Sequence, residues 1–307
     1  MLEKKAAIEP TTGKIIGLST ALRDRNLRKR FIERSIKLTL ILLLSTVFTL
    51  PVLVTFTNSF MTGTEISQSY VNIDEKSGST ITIIPAKVTL NQYYILLIEK
   101  YRYINMFWNS VKLSVSITFL HVIISIITAY AFAKLEFKGR DLIFFIYIVV
   151  MMMPFQVTLL PNYIQARNLK ILNTYWAIIC PGVFAPFGVF LLRQFMKYVP
   201  DQMIEAVTLE SSSVKDVLFT AIIPNVKPGI IALIVLSFAE NWNMVEQPLI
   251  LLDDQLKYPL SLALNSIVER SVDIAFAGSV LYMIPIIIMY FYFEEHILTG
   301  ISSIKFN

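Results

Sequence analysis

Cysteine, histidine and charge are all scarce in this chain of 307 residues. The single cysteine, Cys180, excludes a disulfide within the chain and leaves no thiolate cluster for a metal. The two histidines, His121 and His296, fall on different apolar stretches. Neither has a His-x-x-x-His or Glu-x-x-His neighbour, so neither a metal centre nor a membrane-protease site has support. No Gly-x-x-x-x-Gly-Lys-Ser/Thr loop is present to hold a nucleotide, because Gly13-Lys14 lacks the earlier glycine and a preceding strand. Paired Asp, Ser/Lys or His/Glu constellations are missing from the apolar stretches as well. The expectation is a chain with no catalytic residue, no metal site and no bound cofactor. No internal repeat and no low-complexity tract divides it.

What is present is apolar. Hydrophobic residues make up 55% of the chain and charged residues 16%, and the mean hydropathy is +0.62. These values lie outside the range of an ordinary soluble domain and mark an integral membrane protein. A helix needs roughly 20 residues to cross about 30 Å of hydrocarbon. Uncharged runs of that order occupy 38–56, 113–133, 142–166, 171–192 and 274–293. A shorter run, 228–239, becomes a sixth span if Lys227 snorkels outward and Glu240, Asn241, Trp242 and Asn243 continue the helix. Continuous runs exclude the short alternating strands of a membrane barrel, so the expected fold is all-α and polytopic, with six transmembrane helices.

Six spans place both termini on one side. The tail 1–37 carries ten Lys/Arg against four acids and is expected in the cytoplasm by the positive-inside rule. The loop with Lys134, Lys138 and Arg140 and the insert with Arg193, Lys197 and Lys215 then fall inside as well, while the acidic loop 246–273 and the segment 58–107 fall outside. The formal net charge of +5 is thus a topology signal and does not point to nucleic acid. The first apolar run begins after more than thirty residues and lacks a small-residue cleavage site after it, so it is expected to stay as the first span, 38–57. The core 108–297 holds the other five helices and is followed by a short cytoplasmic tail, 298–307.

Between the fourth and fifth spans lies a polar, helix-forming insert, 198–228. Pro200 suits the first turn of a short helix running through Glu205. The Ser211-Ser212-Ser213 run breaks it, and Ser213 with Asp216 has the spacing of a capping box for a second helix. Val214, Val217, Leu218 and Ala221 then form an apolar stripe, and Pro224 and Pro228 punctuate the entry into the next span. A surface element of this kind can insert as a knob into a groove of another protein.

The insert resembles the "EAA" coupling loop of binding-protein-dependent ATP-binding-cassette importers, whose usual form is Pro, Glu-Ala-Ala, three residues, Gly, and later Ile-x-x-Pro. The matching positions are Pro200, Glu205, Ala206, Val207, Glu210, Ser211 and Ile222-Ile-Pro224, with Val207 in place of the second Ala and Ser211 in place of Gly. Ser211 is therefore where unusual backbone geometry is expected. Asn109-Ser110, the stretch 129–140, Met151-Met-Met-Pro154, 187–195, Glu240-Asn-Trp-Asn243 and Leu298-Thr-Gly300 follow in the order of the carbohydrate-uptake branch, similar to the maltose system's second permease subunit. The resemblance spans about 109–305.

It implies a type I importer permease in the cytoplasmic membrane that takes up a sugar or oligosaccharide. The implied partners are a homologous permease forming a heterodimer, an ATPase dimer that uses ATP and magnesium, and an extracytoplasmic solute-binding protein. Pro200, Glu205, Ala206, Val207, Glu210, Ser211 and Pro224 would form the ATPase contact. An ATPase closing on nucleotide would move the docked helices and rock the bundle between inward-facing and outward-facing states.

Glu240, Asn241, Trp242 and Asn243 read either as the solute path or as an interfacial belt with a helix cap, since polar groups and an indole at membrane depth can bond and stack on a sugar. Asn109 and Gln156 are further candidates for the path, with structural roles as an interface anchor and a proline-carbonyl partner. His121 reads as an imidazole bonded within the bundle. Two other classes remain to be separated from the importer. An ion-coupled secondary transporter working through Glu240 calls for inverted repeats or charges in several spans, and an intramembrane enzyme calls for paired reactive side chains.

Overall fold

The computed structural model describes residues 25–71, 85–211, 213–262, 264 and 272–303. The expected tail 1–24, part of the outer segment (72–84), Ser212, most of 263–271 and the end 304–307 lie outside the described residues, as does the side chain of His296. The regular structure of the described residues is helical, with no strand among them. The chain divides into two compact units, Met1–Thr57 and Asn58–Asn307.

The described residues of the first unit belong to one helix, α1 (Arg25–Asn58), in which the Arg/Lys-rich stretch ahead of the apolar run is already helical. Pro51 removes one backbone donor from it. The hydroxyls of Thr46, Thr55 and Thr57 bond back onto the carbonyls of Leu42, Pro51 and Leu53, which keeps their polar groups satisfied in an apolar medium. Its large apolar side chains between Leu38 and Phe56 are exposed, as suits a lipid-facing span.

The second unit is built around α2 (Tyr101–Lys134), a 34-residue helix that starts inside the expected outer segment rather than after it. The described remainder of that segment includes short helical stretches at Gly63–Ile66, Ser67–Val71, Asn91–Tyr94 and Ile95–Glu99. After α2 come α3 (Arg140–Met151) and α4 (Phe155–Asn168), then α5 (Trp176–Val183) and α6 (Pro186–Lys197), which together form one apolar span. The insert supplies α7 (Asp201–Glu210) and α8 (Val214–Asn225), and α9 (Lys227–Trp242), α10 (Glu246–Leu251) and α11 (Val272–Ser303) complete the chain.

Among the described residues, four helices are long and apolar enough to cross a membrane, and up to six spans result if each of two bent pairs counts as one. The run 142–166 is one such pair and not the straight span its composition suggests. α3 and α4 meet at 101° across Met152–Pro154, because Pro154 lacks an N–H and pushes Met153 out of helical backbone. The insert's second helix meets α9 at 80°, where Val226 leaves helical geometry just before Pro228.

α2 packs against α5, α6 and α9, and α9 packs against α11. Small residues let these backbones close in. On α9, a Cβ added at Gly229 would lie 2.6 Å from the Phe195 ring. One buried cluster joins Tyr130 and Phe132 of α2 to Leu192 and Met196 of α6 and to Val217, Ile222 and Val226 of the insert, so the insert is part of the packed unit and not an appended loop.

Candidate functional site

Two features of the second unit carry chemistry: the outer surface of the insert and a cavity between α2, the α3–α4 bend, the α5–α6 break and α9.

The insert's first helix begins after Val199, which is buried and packed in the cluster above. Pro200 stands just before the helix in extended backbone (φ −62°, ψ 137°), and α7 runs from Asp201 through Glu205 to Glu210, ending at Ser211, in the serine run expected to break it. Lys134, at the end of α2, reaches across with a side chain only 8% exposed. Its Nζ donates to the Val199 carbonyl at 2.6 Å and to Asp201 Oδ1 at 2.7 Å. Ile204, Val207 and Leu218 lean onto the cluster, whereas Pro200, Glu205, Ala206, Glu210 and Pro224 are exposed. Tyr198, Leu209, Val214 and Phe219 are exposed apolar side chains of the same element, Leu209 at 90%. The insert thus has a packed inner side and an outer side on which carboxylates mix with apolar groups.

Ser211 corrects one expectation. It lies in ordinary extended backbone (φ −145°, ψ 132°), which any residue adopts, so the glycine position carries no left-handed strain here. The capping pair differs too. Ser213 makes no side-chain cap, and instead the Ser211 hydroxyl bonds the Asp216 carboxylate and accepts the Ser213 N–H at 3.2 Å. The apolar stripe is split as well, since Val217 and Ala221 are buried while Val214 is exposed.

A second basic residue read only as a topology signal is also buried. Arg193 of α6 donates from Nε to the Phe132 carbonyl at 3.1 Å, sits 3.7 Å from the centroid of the Phe144 ring and lies 3.6 Å from Asp141 Oδ1. A guanidinium so held ties α2, α3 and α6 together just ahead of the insert.

The cavity has a volume of about 370 Å³. Met151, Met153 and Phe155 line it from the α3–α4 bend, Pro181, Phe184 and Phe187 from the α5–α6 break, and Glu240, Asn241 and Gln247 from α9 and α10. At one wall, His121 Nε2 lies 3.0 Å from the Ala185 carbonyl and Nδ1 lies 3.1 Å from Ser237 Oγ. A carbonyl only accepts, so Nε2 carries a proton and donates to Ala185, while the Ser237 hydroxyl partners Nδ1. Asn241 Nδ2 extends the chain to Ser237 Oγ at 3.3 Å and to its carbonyl at 2.7 Å. His121 thereby satisfies a carbonyl left free where α5 and α6 break. His121→Leu is expected to destabilise the protein by about 1–3 kcal/mol, the cost of an orphaned buried acceptor, read as a fall in detergent-solubilised melting temperature.

The six sequence candidates for the solute path separate. Glu240 and Asn241 line the cavity. Trp242 does not: it is fully buried, stacks on Phe238 with centroids 5.6 Å apart, meets Phe107 edge-on at 5.7 Å and donates to the Tyr282 carbonyl at 3.1 Å. Asn243 ends α9 and accepts from the Tyr282 hydroxyl at 2.7 Å. Asn109 is buried and bonded on all sides, donating to the Leu256 carbonyl at 2.7 Å and accepting from Tyr175 at 2.8 Å. Gln156 lies outside the cavity lining, exposed, 3.4 Å from the Glu246 carboxylate. The cavity residues that the sequence did not single out, Asn162, Phe184 and Gln247 among them, have no common spacing, because breaks in three separate helix pairs bring them together.

Comparison with known proteins adds the following. The family described as binding-protein-dependent transport system inner membrane component matches residues 121–302. The arabinooligosaccharides transport system permease protein AraQ of Halalkalibacterium halodurans is 30% identical over 230 residues, 74% of this chain and 82% of that protein. AraQ of Bacillus subtilis is 27% identical over 85% of this chain and 91% of its own length. Among solved structures, a chain of a bacterial ABC transporter involved in the import of the acidic polysaccharide alginate superposes with a TM-score of 0.72 at 20% identity, covering 89% of this chain and 98% of that one, which is a likeness of fold.

Proposed function

The chain belongs to the family of binding-protein-dependent transport system inner membrane components, and from that premise we propose that it is one permease half of an ATP-driven importer of a saccharide. It is a transport component, not an enzyme, and membership leaves the ion-coupled reading without support. In this reading the second unit pairs with a homologous permease, an ATPase dimer docks on the insert, and an extracytoplasmic binding protein delivers solute. The α3–α4 pair and α9 each count as one span, six in all, with both termini in the cytoplasm of a multi-pass inner-membrane protein.

One observation carries the coupling role: the insert is fastened to the bundle on one side and leaves Glu205, Ala206 and Glu210 exposed on the other. An element with that division can receive a partner and pass its motion to α2, α6 and α9. The saccharide follows from the oligosaccharide systems to which the AraQ relatives belong and from a cavity whose methionines, phenylalanines and amides suit the apolar faces and hydroxyls of a sugar.

The test is purification of the tagged protein from its native membrane. Recovery of an ATPase and a second permease is expected, and a lone protein that carries out ion-coupled flux sinks the proposal. Glu205→Lys is expected to release the ATPase, cutting its recovery at least tenfold while the melting temperature stays within about 2 °C, because the side chain is exposed. Unchanged ATPase recovery and uptake would remove Glu205 from the contact.

A further inference from the structure

Among the described residues, the cavity lining contains a single carboxylate and no lysine or arginine. Of its charged and ionisable groups, Glu240 is the only acid, and the only other ionisable side chain is His121, whose two nitrogens are taken up by Ala185 and Ser237. Glu240 itself is exposed and forms no ion pair among the described residues. The remaining polar lining, Thr158, Asn162, Ser237, Asn241 and Gln247, is uncharged. From this arrangement we propose that the half of the path supplied by this chain selects by charge: it admits neutral or amino-bearing saccharides and disfavours acidic ones such as uronates and sugar phosphates, with Glu240 as the residue that sets the discrimination.

The physical basis is short-range. In a cavity walled by Met, Phe and Pro, no guanidinium or ammonium among the described lining residues offsets the one carboxylate. An anionic solute entering meets like-charge repulsion and finds no cation to replace its lost hydration. A hydroxyl-rich neutral sugar meets the same carboxylate as a strong hydrogen-bond acceptor. The cost falls on the acidic solute alone, which is how a single side chain yields specificity. This inference rests on the transport reading above for its biological meaning, although the electrostatics of the cavity stand apart from it.

The experiment uses the full chain in its native membrane with Cys180→Ser, which removes the only cysteine. A reporter thiol is introduced at Asn162→Cys or, as an independent second position, Gln247→Cys, both in the cavity lining. The rates of modification by the cationic ethylammonium and anionic sulfonatoethyl methanethiosulfonates are compared. With Glu240 in place the cation should react several-fold faster than the anion, after correction for their intrinsic rates, because a nearby carboxylate attracts one reagent and repels the other. Glu240→Gln should bring the ratio close to one, Glu240→Asp should keep it, and Glu240→Lys should invert it. Equal rates with Glu240 present, or a ratio that Glu240→Gln leaves unchanged, would overturn the proposal. So would a failure of both reagents to reach either reporter, which would mean that the cavity is closed to solutes. Loss of the ATPase and second permease from the purified complex, with the charge ratio intact, would instead remove the transport reading alone.

Discussion

Lys134→Met should cut solute uptake at least tenfold while the ATPase stays bound and active. Lys134 is the one direct polar tie between the end of α2 and the start of the insert that the described residues display. Its ammonium donates to the Val199 carbonyl and to Asp201, and its stem is almost wholly buried. Methionine fills the same channel with a similar unbranched chain but cannot donate, so packing survives and the tie does not. A charge-assisted hydrogen bond to a buried partner contributes about 1.5–3 kcal/mol, and spending that amount on a loose joint corresponds to roughly ten- to a hundredfold in coupling. Asp201→Asn should change uptake less than about twofold, because the carboxylate is 79% exposed and water replaces it. The decisive readout is solute moved per ATP hydrolysed in reconstituted vesicles. A merely destabilised protein loses both quantities in proportion, whereas a cut linkage lowers the ratio. Lys134→Met with an unchanged ratio would show that motion passes through the apolar cluster instead.

The composition of the chain exposed some of this and hid the rest for identifiable reasons. Spans were legible wherever about 20 uncharged residues had to be helical to cross hydrocarbon, as for α1, α2 and α11. The bend at Pro154 was hidden because hydropathy averages over a break: 142–166 is uncharged throughout, yet its two helices meet at 101°. The insert was legible from its proline and serine punctuation, but the direction of each side chain was not. Val207 leans inward, Glu205 outward, and the Ser211 hydroxyl, not that of Ser213, pairs with Asp216. Lys134 and Arg193 counted as positive-inside charges, and burial revealed them as ties, which no charge count can show. At 240–243 the polar sequence is continuous, but helix geometry turns successive side chains about 100° apart, so Glu240 and Asn241 reach the cavity while Trp242 is driven into the Phe107 and Phe238 rings.

Gly188→Val should prevent the second unit from folding as described, and Gly188→Ala should already cost about 1–3 kcal/mol, the usual penalty of forcing an extra methyl into a closed contact. Gly188 lies where α6 presses closest on α2. An added Cβ would stand 2.6 Å from His121 Nε2 and 3.0 Å from its Cε1, and it would collide with Ser125 Oγ as well. The imidazole cannot swing aside without giving up the Ala185 carbonyl and the Ser237 hydroxyl together. Ser125 is the softer neighbour: its buried hydroxyl has no hydrogen-bond partner among the described residues, so Ser125→Ala removes an obstacle without orphaning anything. Combining it with Gly188→Ala should recover part of the lost stability, a coupling that only residues in contact display. Gly278→Ala is the control, because its nearest new neighbour would be 3.5 Å away, an ordinary contact, and its melting temperature should match the parent. Fluorescence-detected gel filtration after a heat step reads all four variants. If Gly188→Ala melts with the parent, α6 has room to retreat from α2, and the cavity wall formed by His121, Ala185 and Ser237 is not rigidly held.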